Sequence, residues 1–279
     1  MHPVRGTRPL AMLHAVALAG LLAVVLSPLP WARPVPAVAA SQAPVRFGNP
    51  SASAPTGTSG AATRLVVGLG DSVPAGSACA CDSFVARVAT HLSSDQSPVA
   101  ARNLAVPGQT TQDLLDQLDA PEVAASVHAA DVVLVTIGAN DFDDSVVTDP
   151  TCSTSAGLSC YQPTLRQLTD RTAELLTRLH AVAGPRTRIV VTGYWAVFLD
   201  GQVARREGAD YLANSDALTR AVNGLLASSA AAHGDTYVDV YTPFKAVADD
   251  TSLLADDGDH PDAAGHELIA SAVVTALES

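Results

Sequence analysis

The chain has 279 residues, which leaves room for one or two domains. Lys and Arg number 16 against 28 Asp and Glu, a net charge of −12. That charge repels phosphate backbones and anionic lipid, which excludes nucleic acid and charge-driven membrane adhesion as the protein's main partners.

The N-terminus reads as an export signal. Arg5 and Arg8 precede a nearly all-apolar stretch over residues 10–26, and Ala37-Val38-Ala39 supplies the small-x-small pattern that a signal peptidase accepts. Cleavage after Ala39, with Ala40 nearly as good, makes residues 1–39 a signal peptide and the mature protein secreted, with no stable membrane anchor. The alternative is an uncleaved anchor, because residues 9–31 carry no charge and are long enough to span a bilayer. Pro28 and Pro30 near its end favour the signal. Residues 40–63 are rich in Ser, Ala, Pro, Gly and Thr with no apolar period, as in a flexible linker.

From Arg64 onward two kinds of segment alternate. Short apolar runs at 65–69, 131–137, 188–192 and 236–240 read as buried strands, with 99–104 a weaker fifth. Helical spacing appears between them. It is carried by Phe84, Val85, Val88 and Leu92, then by Leu114, Leu115 and Leu118. A long helix runs over Leu165, Leu168, Leu175, Leu176 and Leu179 and stops at Gly184-Pro185. Residues 212–232 and 268–277 supply two more. This alternation predicts a single domain over 64–279, with one parallel sheet covered on both faces. Two long loops stand out, 141–160 and 193–210, the second carrying Tyr194, Trp195 and Phe198. These three aromatics serve equally well as an apolar wall for substrate or as core residues at a strand end.

Four small clusters lie after the strands or near the C-terminus. Gly70-Asp71-Ser72 leaves the first apolar run, and its sharp exit presents the Ser72 hydroxyl at the sheet edge. In an open parallel sheet, ligands bind beyond the carboxyl ends of the strands. Gly108 follows Asn103-Leu-Ala-Val-Pro, and Asn140 lies in Gly138-Ala-Asn140-Asp141. Asp257-Gly-Asp-His260-Pro261 closes the set. A serine hydroxyl is a poor nucleophile without an adjacent base, and His260 is the best candidate among the eight histidines. His91, His128, His180 and His233 fall on or at the ends of helical patterns. An imidazole base needs a carboxylate to hold its tautomer. Asp257 can reach it if the loop turns back at Gly258, whereas Asp259, adjacent to His260, is expected to point away. Gly108, Asn140 and the Ser72 N–H offer three donors for an oxyanion. A metal reading of Asp257, Asp259, His260, Asp262 and His266 fits poorly: the spacing matches neither an EF-hand nor a His-Glu-x-x-His helix. Asp262 also reads as the N-cap of the last helix, with His266 inside it.

These four clusters, in this order, resemble the four sequence blocks of the SGNH hydrolases, also called GDSL esterases and lipases. Val73 stands where the longer Gly-Asp-Ser-Leu form has Leu, and the Gly-x-Ser-x-Gly elbow of the α/β-hydrolases is absent. The resemblance implies a three-layer α/β/α sandwich of flavodoxin-like kind, without cofactor or metal. It also implies Ser72 as nucleophile, His260 as base, Asp257 as its partner, and Ser72, Gly108 and Asn140 as the oxyanion hole. The expected activity is hydrolysis of small-molecule, lipid or carbohydrate carboxylic esters by a secreted monomer. A polysaccharide O-acetylesterase is the alternative within that class. A surface binding module that keeps the fold without the chemistry is the alternative outside it.

Cys79, Cys81, Cys152 and Cys160 all follow the signal, and an even number in an exported chain predicts two disulfides. Three pairings are open. Local pairing, Cys79 with Cys81 and Cys152 with Cys160, is expected because closing short loops needs no tertiary coincidence. Cross-links between the Ser72 and Asn140 loops are the alternative.

Overall fold

Strands buried on both faces read as near-continuous apolar runs, and the central strands here do, with Thr136 and Thr192 as buried exceptions at their ends. A computed structural model describes residues 64–143, 145–152 and 157–279. The signal peptide and linker expected over 1–39 and 40–63 lie outside the described residues.

Five strands, β1 (Arg64–Gly70), β2 (Val99–Asn103), β3 (Val132–Thr136), β4 (Arg188–Thr192) and β5 (Thr236–Val238), form one sheet in the order β2-β1-β3-β4-β5. Every pairing is parallel. All five residues of β3 are buried, as are Val66, Val67 and Leu69 of β1 and the last four residues of β4. Their Val, Ile and Leu content suits a pleated surface covered on both sides. β2 lies at an edge and is largely exposed, which explains why its sequence signal is weak.

Among the described residues, ten α-helices accompany the sheet: α1 (Ser72–Ala75), α2 (Phe84–Leu92), α3 (Thr111–Gln117), α4 (Pro121–Ala129), α5 (Ser145–Thr148), α6 (Gln162–Val182), α7 (Gly201–Glu207), α8 (Ala209–His233), α9 (Tyr241–Lys245) and α10 (Ala263–Glu278). α2 and α10 pack together over β1, β2 and β5, while α3, α4, α6 and α8 form the other group. The result is the expected three-layer α/β/α sandwich. Helix ends follow the local chemistry. Thr110 and Asp113 close a capping box on α3, and Asp262 accepts from the Ala264 and Gly265 N–H groups at the start of α10. α4 was not expected from the sequence, and the stretches anticipated as long loops carry the short helices α5 and α7.

Both disulfides are local. Cys79 pairs with Cys81 and Cys152 with Cys160, at Cα–Cα distances of 5.1 and 5.6 Å.

The strand order is that of flavodoxin-like sheets, in which the order of strand addition reverses between β1 and β3 and the ligand crevice opens at that point. Gly70 of β1 sits opposite Thr136 of β3 in the register. The first and third sequence clusters therefore leave the sheet side by side.

Candidate active site

The Gly70-Asp71-Ser72 cluster is shaped by one backbone position. Gly70 has φ +120°, and a Cβ there would meet the Thr136 carbonyl oxygen at 1.8 Å. Only glycine permits this approach. The chain then turns: the Asp71 N–H donates to the Thr136 carbonyl at 3.1 Å, and the Asp71 carboxylate caps α1 by accepting from the Val73 N–H at 3.0 Å. Ser72 becomes the first residue of α1, half-buried at the carboxyl end of β1. A helix start of this kind carries N–H groups without intrahelical partners and a positive partial charge.

Asp71 is 1 % exposed. Burial pushes its pKa up to about 7, against the pull of the Tyr194 hydroxyl and the Val73 N–H. Tyr194 donates its hydroxyl proton to Asp71 Oδ2, and the Tyr194 hydroxyl oxygen in turn accepts from the Ala139 N–H at 3.3 Å. Asn223 grips the Tyr194 backbone from both sides, accepting from its N–H at 2.9 Å and donating to its carbonyl at 2.8 Å. Tyr194 thus ties the first cluster to the third.

The second and third clusters are also joined. The Val106 N–H donates to the Gly70 carbonyl at 2.8 Å, which sets the loop carrying Gly108 beside β1. Asn140 Nδ2 donates to the Gln109 carbonyl at 3.1 Å, one residue beyond Gly108. Asp141 fixes the same junction: its Oδ2 accepts from the Thr111 N–H and hydroxyl, each at 2.9 Å, and Arg171 stands 3.4 Å from its other oxygen. Asn140 remains exposed, with its second amide proton available.

The last cluster folds as a tight loop. Gly258 has φ +70°, and a Cβ there would meet Val203 at 2.7 Å, so the chain turns back at this glycine as expected. The turn lets one Asp257 oxygen accept from the Asp259 and His260 N–H groups at 3.0 and 3.1 Å. The other oxygen lies 2.8 Å from His260 Nδ1. That contact places the ring proton on Nδ1 and leaves a lone pair on Nε2. Partial burial opposes ionisation of Asp257, but the two backbone N–H groups and the His260 ring outweigh it and hold its pKa below the usual carboxylate value. Asp259 differs from expectation. Its Oδ2 stands 3.7 Å from His260 Nδ1 and Asp259 lines the cavity that Ser72 also lines, because the Asp257 carboxylate holds the backbone N–H groups of both Asp259 and His260. Burial raises the Asp259 pKa. Asp71, Ser72 and Asp259 line the same cavity, so this loop lies beside the Ser72 turn.

A cavity of about 630 Å³ opens at these elements. Ser72, Asn140 and the acidic residues Asp71, Asp143, Glu207 and Asp259 line it together with Phe142, Tyr211 and residues 194–199. Gly108 and His260 do not line it. Tyr194, Trp195 and Phe198 belong at once to the cavity lining and to the core. They face the cavity, yet each is under a tenth exposed, and Trp195 stacks on Phe244 at 4.6 Å between ring centres. Asp262 and His266 are occupied elsewhere, Asp262 as the α10 cap and His266 inside that helix.

A sequence model of the GDSL-like Lipase/Acylhydrolase family matches residues 69–268. The chain belongs to that family. Ester hydrolysis is therefore its reaction class. No curated protein sequence matches it. Among solved structures, a lipase from a goat rumen metagenome is 20 % identical, with a TM-score of 0.59 over 77 % of this chain and 97 % of that one. A phospholipase A1 from Streptomyces albidoflavus is 23 % identical, with a TM-score of 0.56 over 78 % and 99 %. An acetyl-xylooligosaccharide esterase from Geobacillus is 17 % identical, with a TM-score of 0.53 over 79 % and 96 %. At these identities the neighbours speak for the fold. Among the described residues, no helix is long and apolar enough to cross a membrane.

Proposed function

We propose that this GDSL-family member is a secreted, monomeric serine hydrolase that cleaves carboxylic esters through an acyl-enzyme on Ser72. The reading rests on one observation above the rest. Ser72 and Asn140 line a single cavity, and the loop beside it holds His260 on Asp257 at 2.8 Å.

In this reading Ser72 Oγ attacks the acyl carbon while His260 Nε2 takes its proton. Asp257 keeps the ring oriented and stabilises the imidazolium. The N–H groups of Ser72 and Gly108 and the Asn140 amide hold the oxyanion. Collapse expels the alcohol, which takes the proton from His260. Water then attacks the acyl-enzyme with His260 again as base, and the acid leaves. No step requires a metal or cofactor.

The apolar wall formed by residues 194–199 favours an acyl chain over a bare acetyl group as the occupant of the cavity. Polysaccharide O-acetyl groups are the second reading, and the fold shared with the Geobacillus esterase keeps it open. A p-nitrophenyl ester panel from acetyl to long-chain acyl separates the two. Rates that rise beyond acetyl support the first, and rates confined to acetyl support the second. No hydrolysis of any ester would leave the non-catalytic binding module.

A further inference from the structure

The loop after α1 holds a group of side chains that ester hydrolysis does not use. Cys79 and Cys81 are half-buried there, and both sulfurs and a ring nitrogen of His266 lie within 4.8 Å of one another. His266 itself is 0 % exposed. The Phe84 N–H donates to its Nδ1 at 3.3 Å, so that nitrogen presents a lone pair. Burial holds the ring neutral, with its pKa pushed down to about 4 and Arg87 acting in the same direction. A neutral ring with an accepting Nδ1 carries its proton on Nε2. Among the described residues that buried Nε2–H has no hydrogen-bond partner. Orphaned buried donors are costly, and a disulfide sulfur is a poor acceptor where a thiolate is a strong one.

A second observation comes from the backbone. Ala78, directly before Cys79, has φ +57° and is the one non-glycine residue among those described with a positive φ. A side-chain-bearing residue in that region stores strain. Cys152–Cys160 differs: its sequence separation is 8 against 2, and Cys152 is buried.

We infer that Cys79–Cys81 is a thiol-exchange site that small thiols open in preference to Cys152–Cys160, with the His266 Nε2–H holding the thiolate released. A thiolate RS⁻ attacks one of the two sulfurs. The Cys79–Cys81 bond breaks, a mixed disulfide forms, and the other cysteine leaves with the electron pair to accept from Nε2–H. A second RS⁻ attacks the mixed disulfide and releases the remaining cysteine and RSSR. Two electrons pass from the two small thiols to the protein, and their two protons are left for the cysteines. The same three side chains would count as soft-metal donors. With Nδ1 already accepting, however, Nε2 offers a proton and not a lone pair, which suits a thiolate.

The test equilibrates the full chain in glutathione buffers of graded reduced-to-oxidised ratio, followed by acid quench, alkylation and peptide mass spectrometry. The expected result is that Cys79 and Cys81 become alkylated or glutathionylated at a ratio about tenfold more oxidising than the one that opens Cys152–Cys160. His266→Phe keeps an aromatic ring beside Phe84 and removes the donor. It should move the Cys79–Cys81 midpoint about tenfold toward more reducing buffers and leave the other pair in place. If His266→Phe fails to fold, the comparison of the two disulfides in the native chain decides alone. Simultaneous opening, earlier opening of Cys152–Cys160, or an unmoved midpoint in folded His266→Phe overturns the inference. So does stoichiometric Zn²⁺ binding by the reduced chain that His266→Phe abolishes, because the ring would then be a ligand.

Discussion

Tyr194 and Asp71 are 123 residues apart in sequence, and the tyrosine hydroxyl donates to the buried carboxylate that caps the helix begun by Ser72. Through the Ala139 N–H the same hydroxyl reaches the turn that carries Asn140. The residue expected to be either a substrate wall or core is therefore also the strut between two of the motif clusters. Tyr194→Phe removes that strut and leaves Asp71 with the Val73 N–H. Urea unfolding should show a loss of about 1–3 kcal/mol, the cost of an unsatisfied buried acceptor.

The raised pKa of Asp71 has a definite sign in stability. A carboxyl titrating at about 7 in the fold and near about 4 in the unfolded chain stabilises the fold fully below pH 4. That contribution falls as pH rises and is lost above pH 7. Asp71→Asn keeps a neutral cap at every pH. The melting temperature of the variant relative to the native protein should climb between pH 4 and 7, and a flat difference would contradict the assignment.

Ser72→Ala and His260→Ala should each abolish esterase activity, on the order of 10³-fold or more, because nucleophile and base act as a unit. Steady-state rates on a p-nitrophenyl ester check this. The double variant should lose little beyond either single one.

Asn140→Ala should lower kcat by roughly 10²–10³ with little change in KM, since its hydrogen bond strengthens as charge develops on the substrate oxygen. A rise in KM alone would make Asn140 a ground-state binding residue.

Activity should persist after dialysis against EDTA, because every step has been assigned to side chains and backbone N–H groups. A loss restored by Zn²⁺ or Ca²⁺ would revive a catalytic role for the acidic and histidine residues near His260.

Much of this architecture is legible in the sequence because it is local. Parallel strands declare themselves as unbroken apolar runs, and all five expected strands are present. The turn at Gly258 and the cap at Asp262 follow from residue type and spacing. α4 escapes because its inward positions include Ser126 and its apolar residues, Val123 and Val127, are few. Other features depend on tertiary approach, which no window of sequence contains. Tyr194 meets Asp71 across the β1–β3–β4 edge. Asp141 pins Thr111 from 30 residues away. Asp259 turns inward because the Asp257 carboxylate has fixed the backbone on both sides of it.

Covalent labelling tests the central claim most directly. The full chain is incubated with a fluorophosphonate, its intact mass is measured, and the adduct is located by peptide mapping. The account predicts one adduct per chain, on Ser72, absent from Ser72→Ala and strongly slowed in His260→Ala. A folded protein that takes up no label, or takes it at another residue with Ser72 untouched, would contradict it.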